Sequence, residues 1–227
     1  MQFIFNNFCY SVLDEEKLTV VVGNTSSSSI PNAVYSKYTP NIIIPQFIYH
    51  ENKKYEVVEV AKNAFDGCDV TKHVTIPSSI IVIRRGAFHE MTNVETFEIK
   101  GGGRLTIIEK YAFARMYKLK TLVLPSSLVN LTQQCLACMT NLTHLYYCSS
   151  IEVSEDVFRD FLEESITNLN LKIHVPRTYN GTMFGNRTNL VFDDFLQKCF
   201  FSFDNTCKIR NNRMGISQLF LILISIS

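Results

Sequence analysis

The chain has 227 residues, of which 46% are hydrophobic and 19% charged, the balance of a folded soluble protein of one or two domains. Its 22 Lys and Arg residues nearly cancel its 21 Asp and Glu residues, and the net charge of +1 provides no basic field for nucleic acid. The seven cysteines are an odd number, and nothing in their spacing makes a disulfide framework, so the redox compartment stays open.

The first sixty residues divide into two predicted segments. Residues 1–40 show no period and contain a threonine followed by four serines, which is typical of a loop, and residues 1–13 lack the basic start of a secretion signal. Residues 41–60 contain two apolar stretches separated by the polar turn His50 to Lys54, a pattern that predicts a β-hairpin. We expect this hairpin to cap the open end of a repeat array that follows it, because a terminal unit must cover the apolar face of its neighbour.

Residues 61–176 contain a repeated pattern. The dipeptide Ala-Phe, or a close substitute, returns at spacings of 23, 25, 23 and 22 residues. The positions nine and eleven residues after the aromatic residue are apolar and alternate with mostly polar ones, which predicts a short half-buried strand. A period of this length indicates a solenoid of about five units, in which each unit buries its apolar side only against its neighbours. The five dipeptides are Ala64-Phe65, Ala87-Phe88, Ala112-Phe113, Cys135-Leu136 and Val157-Phe158.

Each unit is predicted to hold a second strand and a corner. A short apolar pair precedes the Ala-Phe dipeptide, as Val57 and Val60 precede the first one, and indicates a second strand per turn. The piece after the dipeptide is short, so one or two turns of helix are the most that the corner can hold. Gly101 to Gly103 lengthen the second unit and residues 161–170 lengthen the last, and both are predicted to be loops on the rim.

The composition changes again after Pro176. Residues 177–198 are rich in turn-forming and aromatic residues and are predicted to close the solenoid. Residues 199–227 form a tail with a short apolar end, Leu219 to Ile224. A membrane-spanning helix needs about 20 apolar residues, so no full transmembrane span is predicted. This run is a candidate for membrane association either as a truncated anchor or merely as a sticky end.

The repeat motif resembles that of a known family. Val57 to Cys68 read Val-x-x-Val-x-x-x-Ala-Phe-x-x-Cys and lead to Val74 to Ile80, a pattern similar to the leucine-rich repeat of the BspA type. The closing stretch Ile173 to Gly185 is similar to the end of many such proteins in parasitic protists, above all the trichomonad BspA-like surface antigens. The resemblance implies an α/β repeat fold, a right-handed leucine-rich-repeat solenoid with two short strands and a short helical corner per turn. It also implies a cell-surface location and adhesion to host-cell or extracellular-matrix proteins, without catalytic activity.

The outward positions of the predicted strands form the candidate binding surface. Positions eight and ten after the aromatic residue point away from the core, and stacked strands set them side by side about 4.8 Å apart on one continuous face. Tyr146, His144 and His174 are the predicted anchors, Tyr146 first because tyrosine is enriched among hot spots. The alternative is that these are simply solvated positions of a pleated sheet. The candidate residues are His73, Thr75, Thr96, Glu98, Thr121, Val123, His144, Tyr146, Lys172 and His174.

The sequence predicts neither an enzyme nor a metal or cofactor site. Cys135 and Cys138 make a C-x-x-C pair, but a structural zinc site needs four ligands and there is no second pair. His73 and His144 share a column but lie three units apart, roughly 14 Å at the strand spacing, which is too far to share a metal. Gly101 to Gly103 lack the lysine and the helix of a phosphate-binding loop.

Two hypotheses follow for the function. The first is a surface recognition or adhesion protein that binds other proteins through its strand face. The second is an intracellular interaction scaffold, or a truncated family copy without a surface role. The five Asn-x-Ser/Thr sequons would accept glycans only in the secretory pathway, so the second hypothesis predicts reduced cysteines and no glycan.

Overall fold

The computed structural model describes residues 1–26, 31–34, 39–101, 103–159 and 170–192. These residues form fifteen strands and one 3-10 helix, Glu155–Phe158. The strands are β1 (Gln2–Phe5), β2 (Phe8–Asp14), β3 (Thr19–Val22), β4 (Asn41–Ile43), β5 (Phe47–His50), β6 (Lys53–Val60), β7 (His73–Ile76), β8 (Val82–Ile83), β9 (Thr96–Ile99), β10 (Ile107–Ile108), β11 (Thr121–Leu124), β12 (Asn130–Leu131), β13 (His144–Tyr147), β14 (Lys172–Val175) and β15 (Leu190–Phe192).

The turns of the solenoid place these strands in two layers. The back sheet has the order β1-β2-β3-β6-β8-β10-β12, with β5 paired to β6. The front layer consists of two sheets, the N-front sheet β4-β7-β9 and the C-front sheet β11-β13-β14-β15. Strands from successive turns pair in parallel, whereas β1–β2, β2–β3 and β5–β6 are antiparallel. Two short strands per turn are therefore present, as the sequence predicted.

The core between the layers contains a single file of aromatic rings. Phe65 and Phe88 stack with their centroids 5.3 Å apart, and Phe88 and Phe113 with theirs 5.9 Å apart. All three side chains are fully buried, and Leu136 continues the column in the next unit. Burying one side chain of this kind contributes roughly 1.5–3 kcal/mol, so each unit is stabilised mainly by the units on either side.

The predicted helical corners are hydrogen-bonded turns, except for the 3-10 helix in the last unit. Two positions in each of the other four corners have positive φ, whereas a helix requires φ near −60°. A left-handed residue therefore interrupts the helix that the short corner was predicted to hold. The residue before the Ala position is Asn63, Gly86, Tyr111 or Gln134, and the residue two after the aromatic position is Gly67, Glu90, Arg115 or Cys138.

The N-terminal segment, predicted to be partly loop, contains three strands of the back sheet. The hairpin β5–β6 does not close the open end, because β6 pairs on one side with β3 and on the other with β8. The N–H of Ala33 donates to Ala64 O, just as the N–H of Phe65 donates to Ala87 O, so Ala33 stands at an aromatic position of a further, leading turn. Phe8 supplies the missing ring from β2, 5.9 Å from Phe65 and edge-on to it.

The cysteines correct one prediction. Cys9, Cys68, Cys135 and Cys138 are free, but Cys148 is disulfide-bonded. The cysteine spacing did not reveal a bridge because most cysteines fill apolar columns of the repeat, where they pack as small hydrophobic residues. Burial raises the pKa of the Cys135 thiol, so this half of the C-x-x-C pair is a packed thiol and a poor nucleophile.

The closing segment packs on the last units of the solenoid. Phe184 is fully buried, with its ring 5.0 Å from that of Tyr147 and 5.8 Å from that of Phe158, and β15 pairs with β14. The predicted tail, residues 199–227, lies outside the described residues, as do residues 193–198 and most of the predicted rim loop 161–170. In the part of the chain that the structure describes, no helix has the length and apolar character for a membrane crossing.

Candidate partner-binding face

The predicted binding residues lie in two rows along the front layer. The first row contains His73 and Thr96 in the N-front sheet and Thr121, His144 and Lys172 in the C-front sheet. The second row contains Thr75 and Glu98, followed by Val123, Tyr146 and His174. Strand register therefore brings neighbouring members of each row side by side within each sheet.

The face is not one continuous sheet, contrary to the prediction. Among the described residues no backbone hydrogen bond joins β9 to β11, although both flank the same turn of the solenoid. We call this break in backbone hydrogen bonding between β9 and β11, which still lie next to each other, the seam. The back sheet has no corresponding gap, because β8, β10 and β12 pair in register. The seam therefore divides the ten candidate residues into a group of four and a group of six.

Three side-chain rings stack on one another on the C-front sheet. Tyr146 and His174 stack with centroids 4.3 Å apart, and His144 lies 5.3 Å from His174 and 6.1 Å from Tyr146. His144 Nδ1 and His174 Nε2 are 3.1 Å apart, so one imidazole donates a hydrogen bond to the other. We refer to His144, Tyr146 and His174 as the ring cluster.

The ring cluster is more covered than the sequence predicted. Tyr146 is 8% exposed and His174 9%, because each ring covers the other, whereas His144 is half-buried and Lys172 beside it is exposed. The most exposed side chains of the face are therefore those of the first row. Tyr146, the best predicted anchor, supports the neighbouring rings from within the cluster rather than offering a large free surface.

In the N-front sheet the polar residues pair with one another. His73 Nδ1 lies 2.8 Å from Thr96 Oγ1, and both side chains are exposed. Thr75 and Glu98 face each other in register and are half-buried. Among the predicted positions this half of the face has one ring, that of His73, so it lacks an equivalent of the ring cluster.

Sequence reasoning missed the ends of the face. Asn41 pairs with His73 and Ile43 with Thr75 at one end, and Val191 pairs with His174 at the other. Ile43 is 62% exposed, so it presents apolar surface next to the polar first row. The signal was present in the sequence, because Ile42 and Ile44 precede Pro45 just as Val74 and Ile76 precede Pro77.

Three side chains of the kinds that bind metal ions lie together away from this face, in the corners of the solenoid. One ligand atom from each of Asp66, His89 and Glu90 lies within 4.8 Å of the others. His89 Nδ1 is 3.0 Å from Asp66 Oδ1, and Arg115 Nη1 is 2.8 Å from Glu90 Oε1. His89 hydrogen-bonds to Asp66 of the preceding unit and Glu90 pairs with Arg115 of the following unit, which is sufficient to explain why these groups lie together. This cluster could not be recognised from the sequence, because its members come from two different corners.

Stacked parallel strands, turned corners and a file of buried aromatic residues define a leucine-rich repeat solenoid. The chain belongs to the family described as the BspA type leucine rich repeat region, whose model matches six copies within residues 58–191. This confirms the family that the sequence resembled, with one more repeat than the five or so units that we predicted.

Solved structures share the fold. A leucine-rich repeat protein from Bacteroides capillosus is 21% identical, with a TM-score of 0.50 over 64% of this chain and 97% of that one. The pneumococcal vaccine antigen PcpA is 23% identical, with a TM-score of 0.58 over 84% of this chain and 48% of PcpA, so the chain spans about half its length. No curated protein matches the chain. At these identities the likeness establishes the fold alone.

Proposed function

We propose that the chain is a non-catalytic recognition or adhesion protein of the cell surface, which binds host-cell or extracellular-matrix proteins through its front layer. The observation that carries this proposal is the ring cluster on the C-front sheet. Leucine-rich repeat proteins generally bind other proteins, and an outward strand face is the usual recognition surface of a solenoid.

The geometry of the ring cluster suits an interface anchor. Its rings are held by mutual stacking and by the hydrogen bond between His144 and His174, so little side-chain freedom remains to be lost on binding. Half-buried His144 and exposed Lys172 provide polar contacts at its border. A rigid aromatic centre with a polar border is the arrangement found at hot spots.

The disulfide supports a location outside the reducing cytosol. Cys148 is disulfide-bonded, and disulfides persist mainly in oxidising compartments. The intracellular hypothesis expects reduced cysteines instead. Exposed sequon residues Asn130, Asn141, Asn180 and Asn186 would be accessible to glycan on the folded surface.

Binding can be tested with the purified full chain on a layer of extracellular matrix deposited by cultured cells. We expect His144→Ala to weaken retention about tenfold, the effect of losing about 1.4 kcal/mol at a hot spot. The matched control is His73→Ala, which removes the same side chain from the same row of the N-front sheet and should leave retention unchanged. Equal retention of both variants and the wild type would contradict the proposed anchor.

Location is tested separately on cells that express the chain. Antibody labelling of intact cells should match labelling after permeabilisation. Labelling that requires permeabilisation would exclude the surface role and favour the intracellular scaffold.

A further inference from the structure

The hydrogen bond between His144 and His174 limits how many protons the two rings can hold together. His144 Nδ1 and His174 Nε2 are 3.1 Å apart, so one nitrogen donates and the other accepts. A neutral imidazole has one N–H group and one bare nitrogen, whereas a protonated imidazole has an N–H group at both positions. The hydrogen bond therefore forms when neither ring or one ring is protonated, and it cannot form when both are.

The surroundings add positive charge to this pair of histidines. Lys172 on β14 stands in register with His144 and is exposed beside it. Protonation of both rings would thus place two positive charges next to each other and close to a third. Tyr146 is the other titratable residue of the cluster, and its ring stacks on that of His174. The remaining described residues in register with the cluster carry no charge and are Thr121, Val123 and Val191.

Two other histidines provide a comparison within the same chain. His73 Nδ1 is 2.8 Å from Thr96 Oγ1, and a hydroxyl group can donate or accept, so this contact survives protonation of the ring. His89 Nδ1 is 3.0 Å from Asp66 Oδ1, and a proton on His89 strengthens this contact because it then joins opposite charges. Of these three contacts, the one inside the ring cluster is the one that full protonation breaks.

The side chain that leaves the protonated cluster is that of His144. His174 is 9% exposed and is held by the ring of Tyr146, with the two centroids 4.3 Å apart. His144 is half-buried at the border of the cluster, so its side chain can turn toward solvent when the two rings repel each other. This rotation removes from the cluster the side chain that serves as the interface anchor in the proposed function.

We propose that the ring cluster is a pH-sensitive anchor, which holds its protein partner at neutral pH and releases it in a mildly acidic medium. The binding state has at most one proton shared by His144 and His174, and the released state has two. An imidazole ordinarily takes up its proton near pH 6.5, so acidification from pH 7.5 to 5.5 adds protons to the pair. A partner that binds the less protonated state loses affinity as the pH falls. This proposal rests on the proposed function, because it describes the regulation of the same site.

Proton uptake can be followed without any partner, by NMR of the full chain with ¹³C-labelled histidine between pH 8 and 4.5. The Hε1 signals of His144 and His174 should each shift in two steps, because the second proton enters only when the hydrogen bond breaks. In His144→Gln, whose amide is neutral and can donate or accept, the His174 signal should shift in a single step. His73 should titrate in one step in both proteins. An identical His174 curve in the wild type and in His144→Gln would overturn the proposal.

Release can be measured on the matrix layer deposited by cultured cells. Retention of the wild type should be about tenfold weaker at pH 5.5 than at pH 7.5, the same loss that His144→Ala should cause at neutral pH. His174→Phe keeps a flat ring against Tyr146 but has no ring nitrogen, so its retention at the two pH values should agree within twofold. His73→Ala is the matched control and should keep the tenfold difference. Equal pH dependence in the wild type and in His174→Phe would assign the effect to other groups and would overturn the proposal.

The two proposals fail in distinguishable ways. If the matrix retains the wild type equally at pH 7.5 and 5.5, release by acid is wrong and the proposed function stands. If the matrix retains the wild type at neither pH, the proposed function is wrong and its regulation by pH is wrong with it.

Discussion

Replacing Phe88 by leucine removes the central ring of the aromatic file but keeps an apolar side chain in the column. Phe88 contacts three rings, with centroids 5.3 Å away for Phe65, 5.0 Å for Phe97 and 5.9 Å for Phe113. An aromatic pair contributes about 0.5–1.5 kcal/mol beyond the area that it buries, so the three contacts amount to about 1.5–4.5 kcal/mol. We expect Phe88→Leu to lower the free energy of unfolding by an amount in this range.

The assay is urea denaturation followed by far-UV circular dichroism, because the chain contains no tryptophan to report unfolding by fluorescence. Phe158→Leu is the matched control, since Phe158 contacts one described ring, that of Phe184 at 5.8 Å, and should lose only about 0.5–1.5 kcal/mol. A loss below about 0.5 kcal/mol for Phe88→Leu, or a larger loss for the control, would refute the reasoning that ring stacking couples the units.

Two further predictions concern charge and pH. Arg84 bridges Glu59 and Glu109 of the adjacent units at 2.8 and 3.0 Å, so Arg84→Met should cost about 1 kcal/mol in low salt and less in 1 M NaCl, as measured by urea denaturation. Burial raises the pKa of Tyr147 to about 12, and its hydroxyl donates to Ile151 O. Because the unfolded phenol ionises near pH 10, the stability due to this shift is present below about pH 10 and is lost as the pH rises through 12. The wild type should therefore lose more stability than Tyr147→Phe between pH 8 and 11, and equal losses would contradict the assignment.

The repeat could be predicted from the sequence because its columns are filled by side chains of similar size and polarity. The strands and the ring file follow directly from that pattern. The corners could not be predicted, because positive φ is expected at glycine, whereas this chain places Tyr111, Glu90 and Arg115 at such positions. Hydrogen bonds between corners, such as that from Glu90 N–H to Ala114 O, hold these residues in a conformation that they rarely adopt alone.

The leading turn could not be recognised from the sequence for a different reason. Ala33 occupies an aromatic position without an aromatic side chain, and Phe8 reaches the column from a strand that precedes the turn. A search for a fixed period compares residues at equal spacing and cannot find a ring contributed from elsewhere in the chain. The same limit applies to Thr71 in an apolar column, whose hydroxyl donates to the carbonyl of Thr39 in that leading turn.

The positions of the candidate binding residues followed from strand periodicity, but the division of the face did not. Phe97 of β9 lies between the ring of Phe88 in its own unit and that of Phe113 in the next unit, so the space between β9 and β11 depends on three side chains. From the sequence, Phe97 is one more apolar residue in its column. Its effect is visible only when three side chains from two units are considered together.

The continuous back sheet and the divided front layer have a joint consequence for recognition. Because β8, β10 and β12 remain paired, the two front sheets belong to one solenoid and hold their order. Because no ladder crosses the seam, a change at the seam need not alter the register of β11, β13 and β14, which positions the ring cluster.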